Sequence, residues 1–130
     1  MLSRRAALLA AVAASSVFVT PAFATETEPF TQNDFAAAQK AGKPIFIAIH
    51  ATWCPTCKAQ KPILANIASK PKFKDVVHFE IDFDSQKALL RTFKVQMQST
   101  LIAFKGKQET GRSTGDTNAA SVERLVEKTL

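Results

Sequence analysis

Two cysteines, Cys54 and Cys57, supply all the thiol chemistry of this chain, and both lie in the run Trp53-Cys54-Pro55-Thr56-Cys57-Lys58. Helical residues three apart share one face, with α-carbons near enough for a disulfide. The pair can therefore cycle between reduced and oxidised forms with little backbone movement. Cys54 falls at the start of a predicted helix, where the positive end of the macrodipole and unpaired N–H groups favour the thiolate, the reactive form. Cys57 lies a turn further in and is expected to be more shielded. The roles follow: Cys54 attacks a substrate disulfide, and Cys57 resolves the mixed disulfide. A purely structural bridge across so small a loop would remove little chain entropy. Two thiolates alone do not complete a zinc shell, and the chain has no second pair.

The elements that must position these thiols are readable on either side. Pro44 to Ile49 is a continuous apolar run, as expected of a strand covered on both faces. Cys54 to Ser69 reads as a helix, with Pro55 tolerated in its first turn and Pro62 as a kink. Thr31 to Ala41 forms a helix before them, started by Asn33 or Asp34 and stopped by Gly42. Val76 to Phe83 alternates as a second strand, with Val77, Phe79, Ile81 and Phe83 on one face and His78 exposed on the other. A short helix over Ser85–Phe93 leads to a third strand at Thr100–Lys105, turned by Gly106 into a hairpin partner at Gln108–Arg112. Thr117 or Asn118 caps a last helix lined by Val122, Leu125, Val126 and Thr129. This order predicts an α/β fold with a central mixed sheet flanked by helices, because the last hairpin must be antiparallel. Thr25 to Pro29 reads as a loose polar lead-in.

The chain has 130 residues, 46% of them hydrophobic, and a formal charge of +6. This composition excludes a disordered tail or a collagen-like chain and indicates one domain. Charges interrupt nearly every stretch after Lys40, which excludes a polytopic membrane protein. The excess of basic groups is unclustered, so no nucleic-acid partner is expected. Residues 1–24 are expected to be a cleaved signal peptide. Arg4 and Arg5 precede a charge-free run from Ala6 to Val19, and Pro21 leads to the small-x-small end Ala22-Phe23-Ala24. That run is shorter than the ~20 residues needed to span a bilayer. Removal leaves residues 25–130 as the folded domain at a charge of +4. The expected location is the bacterial periplasm, where disulfides persist.

The whole mature stretch resembles the thioredoxin superfamily. The resemblance rests on the apolar strand before Trp53-Cys54-Pro55-Thr56-Cys57-Lys58, on Pro62 and on a strand ending Ile81-Asp82. It extends to Thr100-Leu101-Ile102-Ala103-Phe104-Lys105-Gly106 and to Gly115 before the last helix. The opening from Asp34-Phe35-Ala36 through Ala41-Gly42-Lys43-Pro44 is similar to periplasmic thioredoxin-like reductases. The resemblance implies a thioredoxin fold and a thiol–disulfide oxidoreductase acting on protein disulfides, more as reductant than oxidant. It implies a membrane electron donor as partner, a monomer, and no cofactor.

Three departures from the family pattern stand out. The position of the family's cis-proline, facing the cysteines, is Ser99 here, and a non-proline cis bond costs roughly 2.5–4 kcal/mol, so a trans bond and a rearranged loop are expected. By the resemblance, Trp53, Gln98, Ser99 and Thr100 would contact the substrate. The family's buried Asp is replaced by Ala48, and Glu80 falls where the family usually carries Lys, which makes Glu80 the candidate proton acceptor for Cys57. The dipeptide between the cysteines is Pro55-Thr56, a pattern similar to glutaredoxins and oxidants.

Other residues have plainer readings. His50, four before Cys54, is either a half-buried strand-end histidine or a group near the site. Met97 is a soft side chain, either filler or a Cu(I) ligand beside the thiols. Lys58 and Lys61 form a solvated helix face. The loss of the proline keeps one rival open: a metal-binding module, for copper or an iron–sulfur cluster, using Cys54 and Cys57 with Met97 or His50. A redox-inactive interaction domain is the other.

Overall fold

The computed structural model describes residues 26–130, with Val17 alone before them. The expected signal peptide lies outside the described residues. Five strands form one sheet in the order β1-β3-β2-β4-β5, where β1 is Thr27–Pro29, β2 Pro44–His50, β3 Val77–Asp82, β4 Thr100–Lys105 and β5 Gln108–Thr114. The first three strands run parallel, and β4 is antiparallel to both β2 and β5. The helices are α1 Gln32–Lys40, α2 Pro55–Ala68, α3 Lys87–Thr92 and α4 Ala119–Glu127. Among the described residues, no helix is long and apolar enough to cross a membrane.

Strand alternation divides the core into two layers. Ile45, Ile47 and Ile49 of β2, with Phe79, Ile81, Ile102 and Phe104, pack against Phe35 and Ala38 of α1 and Leu90 of α3. Phe46, Leu101 and Ala103 face the other way, against Ile67 of α2 and Val122, Leu125 and Val126 of α4. The first layer is dominated by Phe30, Phe35, Phe79, Phe93 and Phe104, whose ring centroids lie 5.2–6.4 Å apart, mostly edge to face. Edge-to-face pairs add about 0.5–1.5 kcal/mol each beyond the area they bury. This layer anchors the C-terminal end of β2, from which the cysteine loop departs.

Three expectations need correction. Thr27–Pro29 is not loose; it is a short edge strand paired with β3 through Thr27↔His78, Glu28↔Phe79 and Pro29↔Glu80. Its three side chains are all exposed, so it carries no alternation signal and is held by its backbone ladder. His78 is therefore not exposed: with β1 beside it, β3 is an internal strand, and His78 is 4% accessible against the Phe46 ring. The N-cap of α1 also lies two or three residues before the expected Asn33 or Asp34. Thr31 is its N-cap, its hydroxyl oxygen accepting the Asp34 N–H at 3.1 Å.

Candidate active site

The chain leaves β2 at His50, turns through Ala51 and Thr52, and enters α2 with Cys54 as N-cap and Pro55 in the first turn. A strand covered on both faces and a proline-started helix leave little freedom between them, so the cysteine loop is fixed from both ends. The N-cap role is filled by sulfur: the Cys57 N–H donates to Cys54 Sγ at 3.1 Å. Both thiols are free and buried together with Ala51, against Phe83. The expected difference in shielding is absent, since Cys54 is 1% and Cys57 2% accessible.

Hydrogen bonding distinguishes the two sulfurs instead. Cys54 Sγ receives a backbone donor. The Cys57 thiol donates, at 3.9 Å, to the Ile49 carbonyl. Burial pushes Cys57 up to about 11, its contact with Cys54 adds to this, and backbone hydrogen bonds from Ala51 and Ser99 oppose it. A thiol so held keeps its proton at neutral pH. This is the behaviour required of a resolving thiol.

Trp53 flanks the pair and is 57% accessible, with its ring edge-on to Phe83 and its Nε1–H donated to Asp84 at 2.8 Å. Met97, 53% accessible, is the other large exposed apolar side chain of this region. Between Met97 and β4 the loop turns sharply. Among the described residues no peptide bond is cis, and Ser99 adopts the left-handed backbone conformation at φ 59°. Such a conformation costs a non-glycine residue about 1–2 kcal/mol. It is held by two backbone bonds and one from a side chain: Ser99 N–H to the Ile49 carbonyl at 2.8 Å, Gly115 N–H to the Ser99 carbonyl at 3.0 Å, and Gln60 Nε2 to that same carbonyl at 3.1 Å. Both backbone polar groups of Ser99 are thus engaged within the protein. Thr100 is buried, its hydroxyl donating to the Met97 carbonyl at 2.7 Å, and Gln98 is half-buried.

Glu80 sits opposite Ala48 in the register of β2 and β3. Its carboxylate is 3.8 Å from His50 Nδ1 and 3.9 Å from Lys61 Nζ. Asp82, opposite His50, is held below its ordinary range by hydrogen bonds from Ser85 and, to a smaller degree, by the His50 charge. A groove of about 360 Å³ opens beside Ala48 and Glu80, between α2 and the β1 edge. Lys58 and Lys61 are exposed on α2, as expected. Among the described residues no group of three or more His, Cys, Asp or Glu is arranged to hold a metal ion.

Gln60 was not legible as a site residue. It lies one turn after Cys57, 3% accessible, and its amide also donates to the Asp116 carbonyl at 3.0 Å. Its spacing was the available signal: three residues after Cys57 it shares that helix face, and a polar side chain there needs partners once buried. Asp84 was likewise missed, since nothing in its sequence context ties it to Trp53.

A family model described as Thioredoxin matches residues 26–128. The crystal structure of Trxlp from Edwardsiella tarda EIB202 aligns with a TM-score of 0.76 at 37% identity, covering 78% of this chain and 98% of that one. Thioredoxin H5 of Arabidopsis thaliana is 34% identical over 89 residues, 68% of this chain and 74% of that protein. Thioredoxin NaTrxh from Nicotiana alata, at 24% identity and a TM-score of 0.71, shares the fold over 85% of this chain and 97% of its own.

Proposed function

This chain belongs to the thioredoxin family of thiol–disulfide oxidoreductases, and from that premise we propose that it is an exported, monomeric reductant of protein disulfides. In the proposed cycle Cys54 attacks one sulfur of the substrate disulfide and releases the other as a thiolate. Cys57 then loses its proton and attacks Cys54, which breaks the mixed disulfide, frees the second substrate thiolate and leaves a Cys54–Cys57 disulfide. Two electrons pass to the substrate, and a membrane thiol donor returns them.

The observation that carries this reading is the asymmetry of the two free thiols: Cys54 Sγ accepts the Cys57 N–H, while Cys57 is held protonated at about 11. Glu80 is the proposed acceptor of the Cys57 proton. What supports that role is its carboxylate's basicity and its place across from Ala48 on the strand next to β2, although its own contacts are with His50 and Lys61 and not with Cys57. Trp53 and the Gln98-Ser99-Thr100 loop are proposed to form the docking rim, supported by the exposure of Trp53 beside Cys54 and of Met97 at the start of that loop. Export and a periplasmic location rest on residues 1–24.

The test is insulin reduction by purified residues 25–130, beside metal analysis of the anaerobic protein. Turnover that disappears in Cys54→Ser, without bound metal, supports the proposal. Stoichiometric copper or iron with negligible turnover would sink it in favour of metal binding.

A further inference from the structure

The Ile49 carbonyl receives two donors. The Cys57 thiol points at it from 3.9 Å, and the Ser99 N–H closes on it at 2.8 Å. The Ser99 amide and the Cys57 sulfur thus share one acceptor, and the Ser99 N–H is also close enough to act on the sulfur itself. When Cys57 ionises it no longer donates to Ile49, and its buried charge needs a donor. The Ser99 N–H is the group at hand, and hydrogen bonding from Ser99 already opposes the effect of burial on Cys57. Proline in this position would have no N–H to give. The titratable group that acts on Cys57 is Cys54, whose hydrogen bond and charge both raise it.

Gln60 helps to hold the residue that carries this amide, through its carbonyl. From a position one turn beyond Cys57 on α2, the buried Gln60 amide bonds both the Ser99 and the Asp116 carbonyls, tying the loop before β4 and the loop before α4 to the helix that carries the thiols. We propose that the Ser99 N–H, shared between the Ile49 carbonyl and the sulfur, steadies the Cys57 thiolate as it attacks the mixed disulfide, and that Gln60 is the positioning residue that keeps this amide within reach of the sulfur. The proposal rests on Cys57 being the resolving thiol.

The test is a single turnover of the purified protein with one equivalent of 5,5′-dithiobis(2-nitrobenzoate). Attack by Cys54 releases the first thionitrobenzoate and leaves the second in a mixed disulfide. Attack by Cys57 on Cys54 releases the second and completes a two-electron exchange. In Gln60→Met, which keeps the side-chain length and removes both donors, the rate of the second phase relative to the first is expected to fall about tenfold. The pH profile of that phase should shift up by about one unit, since one unit is a tenfold change in ionisation. Ser99→Gly retains the N–H and is expected to resolve about tenfold faster than Ser99→Pro. Two results overturn the proposal: a Gln60→Met profile that coincides with the parent's, or equal second phases in Ser99→Gly and Ser99→Pro. A parent protein releasing only one equivalent overturns the resolving role of Cys57 itself, and the assignment with it.

Discussion

Cys54 caps the helix that carries Cys57: its sulfur accepts the Cys57 N–H at 3.1 Å, in the position that serine, threonine or aspartate oxygens usually fill. One contact thus ends the cysteine loop, starts α2 and fixes the spacing of the two thiols. Reactivity and helix initiation are built from the same atom.

Trp53 is expected to serve docking more than stability. Its indole is held outward by the 2.8 Å bond to Asp84 and by the edge of Phe83. Asp84→Ala should cost about 1 kcal/mol in stability, the net worth of one hydrogen bond. It should raise KM for a protein disulfide several-fold while leaving kcat within about twofold, because the reacting sulfurs are untouched. Steady-state insulin reduction separates the two effects.

The buried His78 makes stability depend on acid. Burial lowers it from 6.5 to about 4, and its Nε2 has no hydrogen-bond partner. Between these values the unfolded chain binds the proton and the folded one does not, so stability is full above about pH 6.5 and falls as pH drops toward 4. The loss is about 3 kcal/mol at 1.36 kcal/mol per unit. His78→Phe should flatten that slope in urea unfolding curves taken from pH 7 to 4, whereas an unchanged slope would assign the acid sensitivity elsewhere.

Glu80→Gln keeps the side chain's shape and removes its basicity. If Glu80 takes the Cys57 proton, the resolving phase should slow by about 100-fold near pH 7, at the low end of general-base effects, and recover as pH rises. Stability should change by less than about 1 kcal/mol, because the contacts to Lys61 and His50 are long and partly exposed. A resolving phase that matches the parent's at all pH values would remove Glu80 from the mechanism.

Direction of electron flow has its own observable. The reduction potential of the Cys54–Cys57 pair should lie nearer about −270 mV than about −120 mV if the protein is a reductant. Equilibration with glutathione of defined poise measures it.

Much of this was legible in the chain because the relevant signals are local. The Pro44–Ile49 run, the Cys54–Ser69 helix with its internal Pro62, and the Val122-Leu125-Val126 face each carry their periodicity within a few residues, and all three are present. Positions 27–29 were not legible as a strand, since an exposed three-residue edge has no side-chain pattern, and that omission also hid the burial of His78. Ser99 was visible as a departure from the family pattern. Its consequence was not, because Gln60, Ile49 and Gly115 meet it from distant parts of the chain. Equal burial of Cys54 and Cys57 was likewise unreadable, since helix position says which thiol is nearer the cap and nothing about what lies over it.

The central claim is that Cys54 attacks and Cys57 resolves. Mass spectrometry of Cys57→Ser after incubation with an oxidised protein substrate tests it most directly. The proposed cycle predicts a stable mixed disulfide through Cys54 in Cys57→Ser and none through Cys57 in Cys54→Ser. A trapped adduct on Cys57 in Cys54→Ser, with Cys57→Ser remaining unmodified, would contradict it.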